Sequence, residues 1–120
     1  TGTKTAEMVK YFTNCFLATK VIFANEMYDM CKLSGIDYDK VCEYALYDKR
    51  IGKTHLTVPG PDGDRGYGGH CFPKDLQAML ALGDEIGAGL KLLQATHDKN
   101  DMIRSNFDWL KMKGRAVSED

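Results

Sequence analysis

Cys71 is the residue with the strongest case for chemistry, because of its neighbours in the sequence GYGGHCFPKD. A free cysteine is most often a small buried hydrophobic residue, which is the ordinary interpretation. Pro73 is typical of the first turn of a helix, so the positive end of that helix dipole would lie beside the sulfur. Together with Lys74, it would favour the thiolate. The pattern therefore predicts a nucleophile at Cys71.

Donors and a carboxylate surround this thiol. Gly66, Gly68 and Gly69 leave backbone N–H groups free to meet a ligand oxygen. Asp75 lies in the first turn of the predicted helix, where it could hold a water molecule or pair with a cation. A thiolate, amide donors, an ammonium and a carboxylate within ten residues suit nucleophilic attack on a carbonyl carbon.

Lys10 and Asn14 interrupt an apolar stretch and, at spacing i, i+4, share one face of a helix. On spacing alone, Lys10 extends to solvent and Asn14 bonds a nearby carbonyl. If that face looks at the glycine stretch instead, both side chains could donate hydrogen bonds to a developing oxyanion.

Arg50 precedes the glycine stretch and has two interpretations. In KRIG it could be an ordinary surface base, or it could clamp a carboxylate or phosphate of a ligand. Spacing does not choose between them. The charged groups Glu26, Asp29 and His97 most resemble solvated or locally paired helix positions.

Four helices are predicted around one long loop, and no strand is predicted, which indicates an all-α domain. The first runs from a cap at Thr5 to about residue 34, and Gly35 ends it. The second follows a cap at Asp37 and reaches about residue 48, the third starts at Pro73, and the fourth covers about residues 90 to 113. Between the second and third, residues 49–72 hold six of the twelve glycines, and so long a loop is usually functional.

The first helix carries more apolar surface than one core face needs. A helix that is apolar on several sides is normally buried on several sides. In a domain of this size a second copy of the chain is the simplest way to bury it. The residues are Met8, Phe12, Cys15, Phe16, Val21, Ile22, Phe23, Met27, Met30 and Leu33.

Composition bounds the functional classes. The chain has 120 residues, enough for one domain, with 43% hydrophobic and 28% charged residues and a net charge of −1. Interspersed charges give no sign of a nucleic-acid surface, no apolar run has membrane-spanning length, and four cysteines without a CxxC pair predict no metal site. Helical cysteines and the lack of a signal peptide favour a cytoplasmic protein. Both ends look like cuts from a longer chain.

Three segments together resemble the UDP-glucose/GDP-mannose dehydrogenase family. GYGGHCFPKD is similar to that family's active-site loop, a glycine run followed by GG-x-C, an aromatic or aliphatic residue and PKD. AEMVKYFTNCFLATK is similar to its central helix, and DKRIG before the loop also matches. The resemblance spans nearly all of residues 1–120, with its motifs in the family's order.

The resemblance implies the central domain of such an enzyme, which forms the dimer through the long helix. It implies an all-α fold with one very long helix and a long glycine- and proline-rich active-site loop, similar to the C-terminal-like fold of 6-phosphogluconate dehydrogenase. The family's amino-terminal Rossmann domain for NAD and its carboxy-terminal nucleotide-binding domain have no counterpart in residues 1–120, which contain no strand followed by GxGxxG. The domain by itself is therefore expected to be inactive.

The family's reaction is a four-electron oxidation of a hexose C6 alcohol to a carboxylate with two NAD⁺. Carried over by position, Cys71 attacks the C6 aldehyde, Lys10 and Asn14 stabilise the oxyanion and hold water, and Asp75 assists proton transfer. Cys71 and Lys74 match positions near the cofactor.

The implied substrate-binding residues are an arginine that reaches the partner subunit's substrate and a loop that wraps the nucleotide sugar. They are Arg50, Asp64, Arg65, Gly66, Tyr67, Gly68 and Gly69. UDP-glucose is the first choice of substrate, but His70 occurs among relatives that act on other UDP-sugars. The alternatives are a dehydrogenase for another UDP- or GDP-sugar, and a helical dimerisation or binding module that has lost the reaction.

Overall fold

The computed structural model describes residues 2–105, and its regular structure in that range consists of helices alone. The chain is therefore all-α, as predicted. In order, the helices are α1 (Thr3–Ser34), α2 (Tyr38–Ala45), α3 (Cys71–Ile86) and α4 (Lys91–Ile103).

For α1, the predicted C-terminal end is confirmed and the predicted N-terminal start is wrong. Gly35 has φ +72°, and the N–H of Ile36 donates to the carbonyl of Cys31, 2.8 Å away, so a left-handed glycine ends the helix as predicted. The predicted cap at Thr5 is wrong, since the helix already begins at Thr3 after Gly2. Local hydrogen bonding extends the helix by one more turn, with the N–H of Ala6 donating to the carbonyl of Gly2.

The start of α3 is two residues earlier than predicted. The helix begins at Cys71, so the reactive candidate belongs to the first turn instead of preceding it. Pro73 is then the third residue of the helix. Because the first-turn N–H groups have no partner within the helix, proline is tolerated at any of these positions and marks the turn without marking its first residue.

The other boundaries also shift. Asp37 caps α2 by accepting a hydrogen bond from the N–H of Asp39, as predicted, but the helix ends at Ala45 and continues only as turns. The fourth helix ends at Ile103, because Arg104 adopts an extended conformation. The predicted continuation through residues 106–113 lies outside the described residues.

Helix α1 is the framework against which α3 and α4 pack. Cys15, Ala18 and Ile22, spaced three and four apart, form the face that meets Leu76 of α3. Tyr67 from the loop completes this cluster, and burial raises the pKa of its phenol. The glycine-rich segment is thus anchored in the core by one large side chain.

The start of the long loop packs on a second cluster at the other end of α1. Val58 is buried with Ala24 and Cys31 of α1 and with Tyr38 of α2. The Tyr38 hydroxyl donates to the carbonyl of Leu56 over 2.6 Å. Residues 46–70 contain no helix. The buried side chains of Val58 and Tyr67 and the hydrogen bond from Tyr38 nevertheless hold this loop against the helices.

A second face of α1 is apolar and exposed. Its residues recur at helical spacing and point away from the core face: Val9, Phe12, Phe16, Phe23, Met27 and Met30. The excess apolar surface noted in the sequence therefore has no cover within residues 2–105. In the same range, no helix is both long and apolar enough to cross a membrane.

Candidate active site

The first contact that builds the site joins α1 to α3 through Asp75. Its carboxylate is 1% exposed, and its Oδ2 accepts a hydrogen bond of 2.6 Å from Nδ2 of Asn14. Nζ of Lys10 lies 3.8 Å from Oδ1. The interpretation of Lys10 and Asn14 as solvent-facing or locally bonded residues is therefore replaced by contact with the helix that carries Cys71.

Asp75 keeps one bonding position open. Its Oδ1 is buried and has no hydrogen-bond partner among the described residues, because Lys10 stands too far for a direct bond. A buried carboxylate oxygen without a partner is costly, so such an atom commonly marks a place for water or ligand.

Cys71 lies one turn before Asp75 on the same face of α3, at spacing i, i+4. It is the exposed one of the four cysteines, all of which are free. Cys15 is its opposite: burial, followed by the charge of Asp75, raises the pKa of that thiol to about 11. The exposed sulfur at a helix N-terminus is the thiol available to a reactant.

A cavity of about 520 Å³ has the glycine stretch as one of its walls, and Lys10, Asn14, Cys71 and Asp75 are not among its lining residues. Gly66, Tyr67, Gly68 and Gly69 all line it. Phe72, the residue after Cys71, continues the wall. The remaining lining residues are Val21, His55, Thr57, Gly60, Pro61, Asp62 and Arg104. This volume is typical of a small-molecule site.

Two predicted loop residues support the wall without lining it. Arg65 turns inward and donates from Nη2 to Asp29 over 2.9 Å, with its guanidinium 5.1 Å from the ring centre of Tyr28. Asp64 accepts a hydrogen bond from the N–H of Ser105. Asp29 is thus paired with a loop residue 36 positions away, in place of the solvated or local pairing expected from the sequence.

Arg50 is not brought to this centre in the described chain. Its side chain is 89% exposed, and Nε and Nη2 donate to the two carboxylate oxygens of Asp48 at 2.9 and 2.6 Å. Lys74, three residues after Cys71, is half-buried, and no ion pair joins it to another side chain of residues 2–105.

Arg104 and His55 were missed by sequence reasoning. The Arg104 side chain is fully buried, and its hydrogen bond of 2.6 Å to Asp62 holds the pKa of that carboxyl below its ordinary value. His55 has φ +67°, and its ring centre lies 5.7 Å from that of Phe72. The Asp62–Arg104 pair spans 42 residues, so spacing carries no signal for it.

A substitution at Gly66 would test how closely the glycine loop packs against Asn100. Gly66 has φ +70°, and a Cβ there would overlap Oδ1 of Asn100. We expect Gly66→Ala to lower the free energy of unfolding by about 3 kcal/mol, from left-handed strain plus overpacking. Gly63→Ala is the matched control, with φ +82° but open space around the new methyl group. Denaturant unfolding measures both, and equal losses would show that the contact with Asn100 is unimportant.

Comparisons with known proteins show the family to which the chain belongs. Residues 4–102 match the family model described as the UDP-glucose/GDP-mannose dehydrogenase family, central domain. The chain is 40% identical to the UDP-glucose 6-dehydrogenase AglM of Haloferax volcanii, over 98% of this chain and 27% of that protein. It is 37% identical to TuaD of Bacillus subtilis, over 98% of this chain and 26% of that protein.

A third relative is the UDP-glucose 6-dehydrogenase of Pseudomonas aeruginosa, 42% identical over 82% of this chain and 21% of that protein. The chain thus spans about a quarter of the length of these relatives. The family model, in contrast, covers most of the chain. The chain therefore belongs to the UDP-glucose/GDP-mannose dehydrogenase family and matches its central domain.

Proposed function

We propose that this chain is the catalytic and dimerising central domain of an NAD-dependent nucleotide-sugar 6-dehydrogenase that oxidises UDP-glucose to UDP-glucuronate. The observation that carries the proposal is the meeting of Lys10 and Asn14 with Asp75, one helical turn from the exposed Cys71. Relatives named UDP-glucose 6-dehydrogenase supply the substrate class. A helical module without catalysis would not need these four groups together.

The thiol and its donors perform the covalent part of the reaction. The Cys71 thiolate adds to the C6 carbonyl of the sugar aldehyde, forming a carbon–sulfur bond and moving the carbonyl electron pair to oxygen. Lys10 and Asn14 donate to that oxyanion. After C6 is oxidised to the thioester level, water attacks it, the carbon–sulfur bond breaks, and the thiolate leaves.

Asp75 acts as the general base that accepts a proton from the attacking water. Its unpartnered Oδ1 is the acceptor, and Asn14 fixes the other oxygen, so the carboxylate is held in one orientation. Lys10, 3.8 Å away, offsets the negative charge and remains half-exposed, within reach of a substrate. Hydrolysis leaves C6 as a carboxylate, and the product is UDP-glucuronate.

The chain's own residues fit an anionic dinucleotide at one point. His70 makes no side-chain hydrogen bond to cap α3, and half-buried Lys74 lies in the first turn. The positive end of a helix with a nearby ammonium suits a pyrophosphate. When bound, NAD⁺ supplies the hydride acceptor for both oxidation steps.

The direct test uses the full-length protein with NAD⁺ and, in parallel, UDP-glucose, another UDP-sugar and GDP-mannose. We expect NADH to form fastest with UDP-glucose, in a ratio of two NADH per UDP-glucuronate. Faster turnover with another sugar would reassign the substrate and keep the reaction class. No turnover with any of them would contradict the proposed function.

We also propose that two chains pair through the exposed apolar face of α1. Phe16, 61% exposed, lies near the middle of that face, and a two-fold interface would contain it twice. Phe16→Glu is expected to weaken the dimer at least about 100-fold, since it places a charge in an apolar contact from each side. Sedimentation over a dilution series measures this.

Leu92→Glu is the matched control for the dimer. Leu92 is 69% exposed on α4, so the same chemical change is made outside the α1 face. It is expected to leave the dimer intact. Equal dissociation by both variants, or by neither, would contradict pairing through α1.

A further inference from the structure

Two carboxamides from different helices bond the backbone of Gly66 and Tyr67. Asn25 lies on α1 and Asn100 on α4, and each is 2% exposed. Buried amides need their hydrogen bonds satisfied, and both use the glycine loop to do so. Neither residue lines the cavity.

Asn100 binds both polar groups of one residue. Its Oδ1 accepts from the N–H of Tyr67 over 2.8 Å, and its Nδ2 donates to the carbonyl of Tyr67 over 3.0 Å. A pair of bonds to one residue fixes the orientation of the backbone as well as its position. Because both partners are main-chain atoms, this grip is independent of the Tyr67 side chain.

Asn25 holds the preceding residues from the other side. Its Oδ1 accepts from Nε of Arg65 at 2.6 Å and faces the N–H of Gly66 at 3.3 Å. Its Nδ2 donates to the carbonyl of Val21 in its own helix, which sets the orientation of the amide. Only three residues separate Tyr67 from Cys71, so the clamped segment leads directly into the proposed nucleophile.

We propose that Asn25 and Asn100 are positioning residues that hold the glycine loop in its substrate-binding form. They act through the backbone of Gly66 and Tyr67, which line the cavity. The inference rests on the proposed function for the identity of the substrate. The clamp sets the affinity for the nucleotide sugar and leaves the reactivity of the Cys71 thiol unchanged.

Asn100→Asp in the full-length protein is the sharpest variant. The carboxylate keeps the size and still accepts from the N–H of Tyr67, but it repels the carbonyl of Tyr67. We expect KM for UDP-glucose to rise at least about tenfold, with kcat changed less than about threefold. Alkylation of Cys71 by iodoacetamide without substrate is expected to keep the wild-type rate.

Thr96→Val is the matched control. Thr96 is a buried polar residue of the same helix, and its hydroxyl bonds the carbonyl of Leu92 and the hydroxyl of Thr19, away from the loop. It is expected to lower the melting temperature without changing KM. If Asn100→Asp likewise lowers stability and leaves KM unchanged, the residue is only structural and the proposal fails.

Hydrogen exchange separates this inference from the proposed function. The amide of Tyr67 is expected to exchange at least about tenfold faster in Asn100→Ser, which removes the acceptor of its N–H, than in Thr96→Val, whether or not the protein turns over a sugar. Unchanged exchange would overturn the clamp. Should Asn100→Asp fail to fold, Asn100→Ser removes the paired bonds without adding charge, and the same readouts decide.

Discussion

Replacing Cys71 with serine is expected to reduce NADH formation by the full-length protein at least about 10³-fold. A serine hydroxyl is not ionised at neutral pH, so it is a much weaker nucleophile than a thiol. The variant should fold normally, because the Cys71 side chain is exposed. Initial rates with saturating UDP-glucose measure the effect, and mass spectrometry of stopped reactions follows the sugar bound through sulfur.

Cys42→Ala serves as the control for this prediction. Cys42 is half-buried on α2 and packs against the second cluster, away from Asp75. Its substitution is expected to leave turnover near the wild-type rate. A Cys71→Ser enzyme that kept a tenth or more of the rate, judged against that control, would remove the thiol from the mechanism.

Substituting Asp75 with asparagine is expected to slow turnover about 10²- to 10³-fold. The amide keeps the size of the buried side chain, but it does not accept a proton from water. Hydrolysis of the thioester should therefore become the slow step, and sugar bound to Cys71 should accumulate. Quenched-flow sampling followed by mass spectrometry measures that accumulation.

Stability provides the second readout for Asp75. The buried carboxylate has one oxygen without a hydrogen bond, so its replacement by a neutral amide should leave the melting temperature unchanged or raise it. Asp84→Asn, at an exposed position of α3, is the control and should keep full activity. Loss of folding in Asp75→Asn, or full turnover, would contradict the assignment of this carboxylate to catalysis.

The motif around Cys71 was readable because its information is local. A glycine run, a thiol, a first-turn proline and an aspartate one turn later define a helix N-terminus and the face on which Cys71 and Asp75 lie. The helix periodicity of α1 likewise predicted a second apolar face. Errors fell at the ends of helices, where Thr5 and Pro73 are each compatible with several adjacent positions.

The chain's order of residues by itself determined the all-α class, the pairing of Lys10 with Asn14 on one face, and the candidate nucleophile, since these follow from spacing along single helices. Only the tertiary structure decided that this face meets Asp75, that Arg104 closes on Asp62, and which amides hold the glycine loop. Such contacts join residues about 30 to 60 positions apart, and they depend on how the helices pack. No local periodicity encodes which of many buried polar groups will meet, so that information resides in the packed structure.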